Sequence, residues 1–174
     1  MKRLFSPWRS QYIASFKDEK KENDACLFCR ISKERDDVAN LVVTRNKYCY
    51  VVMNRYPYNS GHVMIVPYTH APNFLELSKE EYAEIMSTTS EMIGALDTVS
   101  NPQGYNFGAN LGRVAGAGID QHIHFHLVPR WNGDTNFMPT IAEVKLVSED
   151  TLTTCKALRK ALKDQTPPGM KKPR

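Results

Sequence analysis

The chain has 174 residues, 41% hydrophobic and 24% charged, with a formal net charge of +4 at neutral pH. A chain of this length buries roughly two thirds of the surface it would expose unfolded, so one compact domain is the default, and no apolar run nears the ~18 residues that suggest a bilayer span. The positive charge owes much to Met170-Lys171-Lys172-Pro173-Arg174; it suits a polyanionic small substrate but is too diffuse to argue for nucleic-acid binding.

In chain order, residues 1–25 mix Phe5, Trp8, Tyr12 and Phe16 with a charged run from Lys17 to Lys21, the pattern of an arm laid over a domain spanning 26–164. Lys2 and Arg3 are followed by polar and charged residues instead of a signal-peptide apolar stretch, which predicts a cytoplasmic protein. Four cysteines are few for a secreted disulfide scaffold. Two of them form Cys26-Leu27-Phe28-Cys29, while Cys49 and Cys155 read as packing residues.

From Asn40, β-branched and aromatic runs flank a turn from Asn54 to Gly61, predicting antiparallel strands at about Tyr48 to Met53 and His62 to Val66. Ser78 with Glu81 is a capping box, and Tyr82, Ile85, Met86, Thr89, Met92, Ile93 and Leu96 recur at helical spacing. Asn101-Pro102-Gln103-Gly104 ends that helix. A strand from Tyr105 to Asn110, a glycine-rich turn from Gly112 to Gly118 and a strand from His122 to Val128 follow. The segment after Pro129 is loop-like, Thr151 to Lys163 reads as a closing helix, and the Pro-rich, charged tail 165–174 is expected to be disordered. The sum is an α+β fold: an antiparallel sheet of about five strands, one long helix and a C-terminal helix.

Chemistry concentrates in the histidines. His122, His124 and His126 alternate with Ile123, Phe125 and Leu127, so in a strand the imidazoles would line one face about 7 Å apart while the apolar side chains enter the core. Imidazole titrates near neutrality and serves as nucleophile, acid, base or metal ligand. The preceding glycine turn lets backbone N–H groups approach an anion. Phosphate chemistry is the natural reading; an alternating strand whose polar side faces water is the simpler rival, against which stand the third histidine and the glycine turn.

Gln121-His122-Ile123-His124-Phe125-His126-Leu127-Val128 resembles the histidine triad motif, in which three histidines alternate with apolar residues. The stretch from Asn54 to Pro67 resembles that family's N-terminal hairpin, and Asn110-Leu111-Gly112 with Ala115-Gly116 its glycine turn. The ending from Val128 to Phe137, with the opening Leu4-Phe5-Ser6-Pro7-Trp8-Arg9, is similar to the branch containing bacterial diadenosine tetraphosphate phosphorylases.

The resemblance implies a nucleotidyl hydrolase or transferase in which His124 attacks the α-phosphorus and forms a nucleotidyl-histidine intermediate. It makes His126 a hydrogen-bond donor to phosphate and an aid to the leaving group, and the backbone at His122 an orienting group for His124. Asn54 matches a ribose-binding position, Asn110 one near the phosphates, and His62 a histidine beside the triad; Gly116 and Gly118 lie in the turn that would hold phosphate. Turn chemistry alone would also account for Asn54 and Asn110. Many members have Gln followed by Ser or Thr where this chain has Ala117-Gly118, so phosphate contacts there fall to backbone, and the departure leaves open whether water or phosphate resolves the intermediate.

The resemblance also implies a structural zinc ion held by Cys26, Cys29, His70 and His122, a sound tetrahedral set. Two reduced core cysteines or a redox pair are the alternatives. A homodimer whose sheets run on across the interface is implied by the family alone. Three functions stand side by side: cleavage of dinucleoside polyphosphates, with phosphorolysis slightly ahead of hydrolysis; hydrolysis of nucleoside phosphoramidates; and a zinc-stabilised nucleotide-binding module without turnover.

Overall fold

A computed structural model describes residues 26–135 and 150–164. The expectations for the arm 1–25 and the tail 165–174 lie outside the described residues. Among those described, five strands run β1 (Val42–Arg45), β2 (Cys49–Met53), β3 (Val63–Pro67), β4 (Gly104–Gly108) and β5 (Phe125–Arg130), with helices α1 (Leu27–Lys33), α2 (Lys79–Ser100) and α3 (Thr151–Asp164). The strands form one sheet in the order β1-β2-β3-β5-β4, every neighbouring pair antiparallel.

From β1 to β3 the sheet is covered on both faces, and the strand period of two sorts the side chains between them. Cys49, Val51 and Met53 of β2, Val63 and Ile65 of β3, and Phe125 and Leu127 of β5 join Ile85, Met92 and Leu96 of α2 and Leu158 of α3 in the larger core cluster. The intervening Tyr50, Val52 and Val66 pack with Phe28 and Ile31 of α1 in a smaller cluster on the opposite face. That two-sided burial is why β2 reads as an unbroken apolar run. His126 lies opposite Met64, so its parity puts it on the α1 face, away from the larger core.

The long helix begins as its capping box requires. The Ser78 backbone N–H donates to Glu81 Oε2 at 2.7 Å and the Glu81 N–H donates to Ser78 Oγ at 3.2 Å, while Thr69 Oγ1 also donates to the Glu81 carboxylate. Asn101 closes the helix in the left-handed region, φ 45°. One position departs from its predicted apolar stripe: Met86 is 58% exposed, and Thr88 is buried instead, accepting from Asn46 Nδ2. The helix α3 is fixed to β1 by Arg159, whose Nε donates to the Val42 carbonyl at 2.8 Å and Nη2 to the Asp37 carbonyl at 2.7 Å.

Candidate active site

The H-x-H-x-H segment straddles the start of β5. The strand begins at Phe125, so His122 and His124 precede it and are not strand residues, a correction to the continuous strand expected from His122. The cause is the partner: β4 pairs with β5 only as far as Gly108 opposite His126, beyond which the glycine turn takes over. The apolar alternation persists, with Ile123, Phe125 and Leu127 buried in the larger core. The imidazoles are no solvent-facing edge either: His122 and His124 are buried beneath Phe28 of α1, whose ring centroid lies 5.5 and 4.9 Å from theirs. The His124 and His126 rings meet edge to face at 4.9 Å.

Their hydrogen-bond partners fix the tautomers. His124 Nδ1 lies 2.9 Å from the His122 carbonyl oxygen; a carbonyl only accepts, so Nδ1 donates and Nε2 keeps a basic lone pair. Burial holds the His124 imidazole below the ordinary histidine range, and the His122 carbonyl opposes part of that shift. The ring is therefore neutral at pH 7. His62, just before β3, accepts from the Tyr58 backbone N–H at Nδ1, 3.1 Å away. Its hydrogen must sit on Nε2, which lies 2.9 Å from His126 Nδ1, so His126 accepts there and carries its own hydrogen on Nε2. An N–H donor on His126 and a basic ring nitrogen on His124 stand side by side.

The loop that delivers His62 is held rigidly. Asn59 Nδ2 donates to the Pro129 carbonyl at 3.0 Å and to Asp134 Oδ2 at 2.9 Å, and the Asn59 carbonyl accepts from the His62 N–H at 3.2 Å. Gly61 has φ +73°, and a Cβ there would meet Leu96 Cδ2 at 3.0 Å and Pro129 Cγ at 3.2 Å. Glycine meets both demands without strain.

Between α1 and β2 lies a cavity of about 190 Å³ lined by both His124 and Asn54. Phe28, Ile31, Val52, Met64 and Ile119 give it apolar walls, and Arg30 and Asn40 add polar groups. Asn54 Oδ1 accepts from the Tyr56 N–H at 2.9 Å, so the turn role foreseen for this residue is real and coexists with its place at the cavity. Asn110 follows β4, and Gly116 and Gly118 follow the short 3-10 turn Arg113–Ala115. Neither Asn110 nor Gly118 bonds to the histidine cluster among the described residues.

Cys26, Cys29, His70 and His122 place one ligand atom each within 4.8 Å of one another. Cys26 Sγ and Cys29 Sγ lie 3.4 and 3.5 Å from His122 Nδ1, and Cys29 Sγ lies 3.3 Å from His70 Nδ1. A tetrahedron with Zn–S of about 2.3 Å and Zn–N of about 2.0 Å has S···N edges of about 3.5 Å, so the four groups fit a metal ion and could hold zinc. His122 Nε2 donates to the Pro67 carbonyl at 3.0 Å, which turns Nδ1 towards the cysteines, as a ligand histidine requires. Cys49 and Cys155 are buried in the larger core, packing residues as expected.

Three features of the site escaped sequence reasoning. The helix α1 was not foreseen, although Leu27, Phe28 and Ile31 recur at helical spacing. Tyr58 contributes a backbone N–H, which no side-chain pattern reveals. Asn40 reaches the cavity from the loop before β1.

Fold and cluster define an α+β protein whose H-x-H-x-H imidazoles gather beneath one short helix beside an apolar cavity. The HIT domain matches residues 35–133, more than half of the chain, and the chain belongs to the HIT domain family. It is 39% identical over 153 residues to an AP-4-A phosphorylase of Mycobacterium tuberculosis, covering 86% of this chain and 78% of that one. It is 31% identical over 108 residues to the adenosine 5'-monophosphoramidase hnt1 of Schizosaccharomyces pombe, covering 62% and 76%. Among solved structures, a Zn-bound histidine triad family protein of Mycobacterium smegmatis shares the fold, with a TM-score of 0.64 and 23% identity over 80% of this chain and 94% of that one. No helix among the described residues is long and apolar enough to cross a membrane.

Proposed function

We propose that this chain cleaves dinucleoside polyphosphates of the diadenosine tetraphosphate type through a nucleotidyl-histidine intermediate on His124, with phosphorolysis ahead of hydrolysis. The observation that carries the reading is the state of His124: Nδ1–H committed to a carbonyl and Nε2 basic, at the wall of an apolar cavity it shares with Asn54. The 39% identity to an AP-4-A phosphorylase supports the substrate class.

In the first step His124 Nε2 attacks the α-phosphorus. The P–N bond forms as the bond from that phosphorus to its bridging oxygen breaks, and a nucleoside triphosphate departs. The positive charge that the imidazole gains is met by the His122 carbonyl on Nδ1–H. His126 Nε2–H donates to a phosphate oxygen, where charge builds up in the transition state. In the second step an oxygen of inorganic phosphate or water attacks the same phosphorus, the P–N bond breaks, and ADP or AMP leaves with the histidine neutral again. Asn54, which lines the cavity, is assigned to the ribose, and backbone amides of the turn through Gly116 and Gly118 are assigned to phosphate.

Cys26, Cys29, His70 and His122 are assigned a structural zinc ion, which when bound would pin α1 against the sheet. The exposed face of β4, with Asn106, Phe107 and Gly108 at one end of the strand order, supports a homodimer with a continuous sheet. A soluble, cytoplasmic protein is proposed. Hydrolysis of nucleoside phosphoramidates by the same intermediate is the second reading, supported by the phosphoramidase relative.

Product analysis of diadenosine tetraphosphate turnover with and without inorganic phosphate tests the proposal. ADP plus ATP, dependent on phosphate, marks phosphorolysis, and AMP plus ATP marks hydrolysis. Turnover confined to phosphoramidates favours the second reading, and nucleotide binding without turnover leaves a binding module.

A further inference from the structure

We infer that Asn40 selects adenine over guanine in the cavity beside His124, with Glu34 holding its amide in the selective orientation. The inference rests on the reading of that cavity as the nucleotide site. Three observations place Asn40 there. It is buried and lines the cavity. Its Nδ2 donates to Glu34 Oε2 at 2.7 Å, and Glu34 is in turn bound by Arg30 Nη1 at 2.9 Å. Its backbone is committed, the N–H donating to the Asp36 carbonyl at 3.1 Å and the next residue, Leu41, holding φ 56°. A left-handed branched side chain is costly and persists where the surroundings demand it.

The chemistry follows from the carboxylate. Ionised Glu34 can only accept, so it must face the Asn40 nitrogen and not its oxygen. Glu34 is held below the usual carboxylate range by its hydrogen bonds from Asn40 and Arg30, which favours the ionised, accept-only form. This leaves one Nδ2 hydrogen and Oδ1 as the amide's remaining polar groups. An acceptor beside a donor is the pattern that pairs with the N6 amino group and an adjacent ring nitrogen of adenine. In the same ring pose guanine presents an oxygen at C6, which would oppose Oδ1. The amide cannot flip to suit it without turning its oxygen onto Glu34. The apolar walls carry no polar group to tell the two rings apart, and among the polar side chains at the cavity the discrimination is assigned to Asn40, because Glu34 fixes its amide.

The test uses the full chain and two variants, Asn40→Leu and Glu34→Gln, each checked by melting temperature and zinc content. AMP and GMP are titrated calorimetrically, and kcat/KM is compared for diadenosine and diguanosine tetraphosphate. The expected result is an adenine preference of about tenfold or more in the parent, the range of a single bidentate base contact. The preference should fall towards one in Asn40→Leu, and partway in Glu34→Gln, whose amide also tolerates the flipped Asn40. Equal use of both bases by the parent, or a preference unchanged in Asn40→Leu, overturns the base assignment while leaving the His124 reading intact. No binding of either monophosphate and no turnover of either dinucleotide overturns both.

Discussion

Replacing His62 isolates the hydrogen-bond relay that sets the tautomer of His126. His62 is fully buried and serves two partners, accepting from the Tyr58 N–H at 3.1 Å and donating to His126 Nδ1 at 2.9 Å. His62→Leu keeps bulk but orphans both groups, and each buried polar group left unsatisfied costs roughly 1–3 kcal/mol. The orphaned Tyr58 amide burdens the folded state. The His126 change burdens the reaction, because its ring can then place the hydrogen on Nδ1 and present an acceptor to phosphate. If that share is about 2 kcal/mol, kcat/KM falls roughly 30-fold. His62→Gln supplies one acceptor and one donor on a single side chain and should recover part of the loss. Steady-state kinetics on diadenosine tetraphosphate, with melting temperatures, reads both effects. A folded His62→Leu protein with kcat/KM within threefold of the parent, or a Gln variant no better than Leu, refutes the relay.

Further outcomes follow from the same geometry. Because burial keeps His124 below the ordinary histidine range, kcat/KM should fall with slope near one on the acid side, its midpoint below about 6.5; a limb that rises on acidification marks a cationic clamp instead. Stability should follow: the neutral ring is favoured by the fold, so the stability present above about pH 6.5 is lost as pH falls through the lowered value, read as a falling melting temperature. Cys26→Ser should lower bound zinc from about one per chain and lower the melting temperature; a parent that purifies metal-free and equally stable leaves the cysteines as packing residues. Gly61→Ala, meeting both a positive φ and a Cβ at 3.0 Å from Leu96, should cost about 1–3 kcal/mol in denaturant unfolding, and a loss under 0.5 kcal/mol, about the scatter of neutral substitutions, contradicts the tight-loop account.

Strands β2 to β5, the long helix with its Ser78 cap and the closing helix were legible because their patterns are local: apolar runs, a capping box and 3.6-residue spacing; β1, four residues long, was counted but given no bounds. The helix α1 was not, since seven residues carry too few turns for periodicity to speak, and its helicity depends on packing Phe28 and Ile31 against Tyr50, Val52 and Val66. The histidine spacing announced a shared face but not its burial, which Phe28 imposes from 94 residues upstream of His122. The Cys2His2 set could be named from resemblance, whereas the turning of His122 Nδ1 towards the cysteines depends on the Pro67 carbonyl. Asn40 carried no signal, because an asparagine before a strand reads as a turn residue until the cavity behind it is seen.

The central claim is that His124 forms a covalent bond to the α-phosphorus, and rapid quench with diadenosine tetraphosphate labelled at that phosphorus tests it most directly. The parent protein, quenched into alkali that preserves P–N bonds, should carry label on a peptide containing His124 within the first turnover, and added phosphate should discharge it as labelled ADP. His124→Ala should bind nucleotide and carry none. A parent that turns over with no label on His124 at any time point, or a His124→Ala protein within tenfold of parental turnover, contradicts the account.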